Sequence, residues 1–139
     1  MKHVPIGSLP DCVPICKPTM YIAKTNSSDP KGWWFGPWNS ELPVAVGYAN
    51  TGLDEPHVHH ETFEIYLVAR GTSSIRVEGK TVALAAGSVI VLEPGEAHTF
   101  LESSPDYMHF VIHAASATGA ELQPEKTPVS RQRLGLDSR

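Results

Sequence analysis

From Gly52 onward the chain runs as short apolar-rich segments spaced about ten residues apart, a rhythm that points to β structure. The segments fall at 56–60, 63–70, 72–78, 81–86, 88–92, 97–102 and 106–114. Gly71, Gly79-Lys80, Gly87, Pro94-Gly95 and Pro105-Asp106 separate most of them, and these are residues that turns favour. Upstream, 19–25 and 42–49 read as two further strands. Between them lie a polar turn, Asn26-Ser27-Ser28-Asp29-Pro30, and an aromatic cluster of Trp33, Trp34, Phe35 and Trp38 broken by Gly36-Pro37. Helical periodicity is almost absent, so the expectation is an all-β sandwich or barrel.

A length of 139 residues fits one domain. Residues 1–17, with Pro5, Pro10 and Pro14, read as an extended arm, 18–114 as the β-barrel, and 115–139 as an irregular tail with a candidate short helix around 129–136. The net charge of −4 and the lack of a basic face argue against nucleic acid; Asp137 dilutes the arginines at 131, 133 and 139. No stretch reaches the roughly 20 apolar residues that span a bilayer, and the proline-broken N-terminus does not resemble a signal peptide. The expected setting is cytoplasmic, with no nucleic-acid or membrane partner. Cys12 and Cys16 have three residues between them where a zinc pair usually has two, and read as ordinary thiols.

Chemistry concentrates in His57-Val58-His59, Glu64 and His98. Imidazoles and carboxylates are ligands for divalent transition metals. In an extended strand His57 and His59 point to one face and Val58 to the other. On the returning strand Glu64, Tyr66, Val68 and Arg70 share a face, opposite Phe63, Ile65, Leu67 and Ala69. Both faces carry apolar residues, so Glu64 sits where desolvation costs several kcal/mol unless a cation compensates. His60 has the opposite parity and Glu61 lies at a turn, so neither is expected to bind the ion.

These residues resemble the two motifs of the cupin family. His57, His59, Glu64 and Gly71 match the later part of the first motif, although Gly52 stands four residues before His57 where the family has five. Gly87, Gly95 and His98 match the second, with Glu93 in place of its first proline and Glu102 in place of its asparagine. The resemblance covers roughly residues 40–114 and implies a double-stranded β-helix, or jelly roll, with a metal in the barrel and frequent homodimerisation. The implied ligands are His57, His59, Glu64 and His98, holding one divalent ion of iron, manganese, nickel, cobalt, copper or zinc.

Around this set, Tyr66 is a candidate catalytic proton donor or base, or else an inward ring that packs. Glu102 is expected on the face of His98 and Phe100, as a catalytic carboxylate or a solvated rim residue. His109 and His113 alternate with Tyr107 and Val111 on the last strand, and which of its faces looks inward is open. Phe100, Arg70 and His109 are the candidate ligand-contacting residues. With Val68, Val91 and Phe100 on the expected inner faces and only Arg70 and Arg76 as nearby cations, the pocket favours a largely apolar or aromatic metabolite over a phosphorylated sugar. The tryptophan cluster reads as a core or dimer-interface element, or as the cap of a substrate mouth. The functional expectation is a metal-dependent enzyme with oxygenase, isomerase, cyclase or lyase chemistry. The alternative is a non-catalytic metabolite- or metal-binding module.

Overall fold

A computed structural model describes residues 20–25, 28–116 and 125–137. The arm at 1–17, with its two cysteines, lies outside the described residues. Among the described residues ten strands form two five-stranded antiparallel sheets, the expected all-β double-stranded β-helix. One sheet contains β1 (Lys31–Phe35), β2 (Val44–Ala49), β9 (Met108–Ala115), β4 (Thr62–Arg70) and β7 (Val89–Leu92), in that spatial order. The other contains β10 (Thr127–Pro128), β3 (His57–Val58), β8 (His98–Ser103), β5 (Thr72–Val77) and β6 (Lys80–Ala85).

Alternation determines what lies between the sheets. On β4, Thr62, Glu64, Tyr66 and Val68 are buried while Phe63, Ile65 and Leu67 on the other face are half-covered. The face of β9 left open by the sequence is settled by Tyr107, His109, Val111 and His113, which carry the inward parity. The central core combines Tyr66, Val68, Ile75, Leu84, Leu92, Phe100, Tyr107 and Val111. Each large side chain there contributes about 1.5–3 kcal/mol of transfer free energy.

Several expectations change. Residues 20–25 form no strand; the first strand among the described residues is β1, within the aromatic cluster. Residues 125–137, expected in an irregular tail with a short helix around 129–136, include the unexpected strand β10, and a 3-10 turn at Gln132–Leu134 lies where the helix was expected. There Leu134 is fully buried against Val58 and Ala97. Val91 points outward and is half exposed; Leu92, its neighbour, is the residue in the core.

Candidate metal centre

Register brings the polar residues together from both sheets. His57 on β3 is the direct partner of His98 on β8, and Glu64 on β4 is the direct partner of His113 on β9. Side chains of directly paired residues leave the same face of a sheet. Two pairs, one per sheet, therefore confront each other across the barrel. Glu64 Oε1 lies 3.7 Å from His57 Nε2, 3.1 Å from His59 Nε2 and 2.8 Å from His98 Nε2. Its other oxygen, Oε2, lies 2.8 Å from His113 Nε2 and accepts a 2.7 Å hydrogen bond from the Tyr66 hydroxyl.

The far side of each imidazole fixes its protonation. His57 Nδ1 is 2.6 Å from the Glu55 carbonyl and His98 Nδ1 is 3.0 Å from that of Glu96. His59 Nδ1 meets the carbonyl of Glu125. A carbonyl can only accept, so all three rings carry hydrogen on Nδ1. In the neutral rings each Nε2 then turns a lone pair toward a carboxylate oxygen. Glu64 Oε1 and His98 Nε2 are buried without a hydrogen-bond partner although they lie 2.8 Å apart. Facing acceptors repel unless a cation or extra protons lie between them. Burial lowers the pKa of His59, but Glu64 and Glu125 outweigh it and the net shift is upward.

The donor set therefore fits a divalent transition metal ion. It forms two overlapping triads that share Glu64: His57, Glu64 and His98, and His59, Glu64 and His113, with donor atoms within 4.8 Å of one another in each. His113 is the member that sequence parity did not select, because its pairing with Glu64 joins strands far apart in the chain. His60 is exposed, as expected.

The remaining candidates separate clearly. Tyr66 packs edge-on against Phe100 (5.0 Å between ring centroids, 88°) and His109 (4.8 Å, 65°) beneath the donors. Burial and the adjacent Glu64 charge push its phenol well above the usual range, which keeps it a donor. Phe100 and His109 stack on each other and are both buried, so they form a packed floor behind Tyr66. Arg70 and Glu102 depart from the faces expected of them. A bulge between Val68 and Arg70 breaks the β4 alternation, and Arg70 is exposed, with Nε bound to the Asp106 carbonyl at 3.0 Å. An irregularity in the β5–β8 register leaves three β8 steps, Phe100 to Ser103, opposite two on β5, and Glu102 within it is exposed. An extra residue in one strand shifts the following side chains to the opposite face.

His109 gives a prediction that does not involve the donors. Its Nδ1 lies 2.7 Å from the Tyr107 hydroxyl, and burial pushes its pKa down to about 4, against the pull of Glu64. Charging it favours the unfolded chain, where the imidazole has its usual value of 6.5. Its contribution to stability is thus complete above that value and is lost as pH falls through about 4. In urea titrations of metal-free protein, His109→Phe should reduce the stability difference between pH 7 and pH 4.5 by about 2 kcal/mol. An unchanged difference would mean that His109 is not held neutral.

Comparison with known proteins agrees with this architecture. A cupin 2 conserved barrel domain protein from Salinispora arenicola has a TM-score of 0.55 at 15% identity, covering 68% of this chain and 88% of that one. A cupin protein from Bacteroides fragilis gives 0.54 at 20%, covering 74% and 90%. A variant of PAC13 from Streptomyces, with uridine, gives 0.55 at 12%, covering 78% and 92%. At these identities the likeness is one of fold. No curated protein matches the chain. The family model for the AraC-like ligand binding domain matches residues 40–123, a span that contains all five donors. With that match joined to the paired sheets and the cupin neighbours, the chain belongs to the AraC-like ligand-binding domain family and has the cupin fold.

Proposed function

We propose that this chain is a metal-dependent cupin enzyme acting on a small, largely apolar or aromatic metabolite. His57, His59, Glu64 and His98 would hold one divalent transition metal ion. The observation that carries this reading is the unpartnered pair Glu64 Oε1 and His98 Nε2, in a cluster where three Nδ1 atoms are already tied to carbonyls. Such an ion, when bound, supplies Lewis acidity toward an oxygen-bearing ligand or a place for dioxygen. The chain's own residues do the positioning. The three carbonyls aim the imidazoles, and Tyr66 and His113 hold Glu64 Oε2. The floor of Tyr66, Phe100 and His109 excludes water from below. His113 is the most exposed donor, with 15% of its side chain accessible against 1% for His98, which supports ligand entry on its side.

A cytoplasmic homodimer belongs to the same proposal. Among the described residues no helix is long and apolar enough to cross a membrane. The outer face of the β4 sheet presents Ile65, Leu67 and Ile112, with Val89 and Val91 largely exposed at its edge, which supports self-association. The family description as a ligand-binding domain favours one alternative, a non-catalytic metabolite-binding module.

Anaerobic reconstitution of metal-free protein with Fe(II), Mn(II), Co(II), Ni(II), Cu(II) and Zn(II) separates these readings. The expected result is about one tightly held ion per chain and turnover or dioxygen uptake with an oxygen-bearing apolar or aromatic compound. Ligand binding without turnover under every metal would assign the binding module. Failure to take up any ion would overturn the metal site.

A further inference from the structure

We propose that Trp33 and Trp38 form an aromatic subsite at the mouth of the donor cluster. It would take the flat ring of a ligand whose oxygen-bearing head reaches the metal. The assignment rests on the metal-site reading for the head group and on separate geometry for the ring. Trp33 pairs with Gly47 on β2, and Ala45 on the same strand pairs with His113. All lie on the inner face. Gly47 is required here: a Cβ would fall 2.8 Å from the Trp33 ring and 2.5 Å from the Gly32 carbonyl oxygen. The Trp33 ring instead reaches His113, with centroids 4.7 Å apart and planes at 63°. It thus borders the most exposed donor, where a ligand would enter.

Trp38 is placed by the turn that follows β1. Asn39 Oδ1 accepts the Gly36 N–H at 3.0 Å, and its Nδ2 donates to the Trp34 carbonyl at 2.9 Å. The Trp38 ring covers Gly36, where a Cβ would lie 1.9 Å from it. The result is a corner: Trp33 and Trp38 meet at 84° with centroids 6.4 Å apart. Trp33 remains 46% exposed and Trp38 44%. Trp34, between them in sequence, stacks on Tyr48 at 4.9 Å and touches Phe110 on the other side of the sheet. One of the three indoles therefore has a packing partner along its face, while the other two present open area beside the site. The Trp33 ring borders His113, whose Nε2 lies 2.8 Å from Glu64 Oε2, so a ring resting on the indoles would sit beside the donors. The ligand class is accordingly an aromatic compound with an adjacent oxygen chelating group, as in a hydroxybenzoate.

The test uses the full chain with its cobalt content measured first. 2-Hydroxybenzoate and lactate provide a chelating head with and without a ring, and phenol provides the ring alone. In wild type, 2-hydroxybenzoate should bind about tenfold more tightly than lactate and move the indole N–H signals of Trp33 and Trp38 but not that of Trp34. Trp33→Ala should weaken 2-hydroxybenzoate about three- to tenfold and leave lactate unchanged, with Trp33→Phe recovering part of the loss. Equal effects on both compounds, or no effect on either, overturn the subsite. If wild type takes up no cobalt, the metal reading fails independently. Phenol then decides: saturable binding that moves the same two indoles and is lost in Trp33→Ala supports the corner, and its absence overturns it. Tetramethylammonium binding more tightly than phenol would overturn the ring assignment, because the corner would then select a cation.

Discussion

Glu64→Gln should empty the centre of metal and also weaken the metal-free fold. In wild type, elemental analysis should find about one ion per chain; in the variant, less than about a tenth of that, because the one anionic donor of the cluster among the described residues is gone. The effect on folding has a separate origin. Burial works to raise the Glu64 pKa, but the four imidazoles around it, His113, His57, His59 and His98, override it and hold the carboxyl well below its usual range. A depressed folded pKa contributes stability that is present above the unfolded value of 4.5 and is lost as pH falls through the folded value. At pH 7, removing this charge leaves the four imidazoles without the carboxylate on which they converge. The expected cost, by urea denaturation in chelator, is about 3–5 kcal/mol, narrowing in acid. Equal stability of the two proteins at pH 7 would show that Glu64 does not hold the imidazoles together. His57→Ala with His59→Ala is the companion variant: it too should lose metal, while keeping Glu64 paired to His98 and His113.

Local alternation was enough to find most of this centre and not enough to bound it. His57, His59, Glu64 and His98 were legible because each lies within a few residues of a turn that fixes its strand's register. Parity fails where an extra residue enters the ladder: Arg70 stands at the end of one such irregularity and Glu102 within another, whereas Val91 lies on a regular strand and was assigned to the wrong face. No residue type in those stretches announces a bulge. His113 had the opposite problem. Its parity with Tyr107, His109 and Val111 was readable, but its value as a donor depends on facing Glu64 across β4 and β9. A buried carboxylate on a central strand would, with that register known, have called for a positive partner at position 113. Trp33 and Trp34 looked alike in sequence; their division between inner and outer faces follows from the β1–β2 pairing.

Truncation after residue 124 should weaken metal binding by about 10- to 100-fold while the barrel keeps its β-sheet circular dichroism. The reason lies on the strand that carries His57, a proposed ligand. β3 has only two residues, and β10 covers its outer edge, with Thr127 paired to Val58 and Pro128 to His57. The same segment supplies the Glu125 carbonyl that orients His59, and the Glu125 carboxylate accepts the His60 N–H. Its anchor is Leu134, wholly buried with Val58 and Ala97, and Arg76 Nε donates to the Leu134 carbonyl at 2.7 Å. The ion pairs Arg131–Asp54 and Arg133–Glu78 are partly exposed and should add little. Leu134→Ala therefore tests the anchor without deleting the donor carbonyl. It should lower stability by about 2–4 kcal/mol and weaken metal binding less than truncation does. With Nδ1 released, His59 can rotate and protonate, so its loss should appear as a changed visible spectrum of the cobalt-loaded protein as well as a faster transfer of the ion to a chelator. A truncated chain that folds and holds cobalt with the wild-type spectrum and affinity would remove Glu125 from any part in positioning His59.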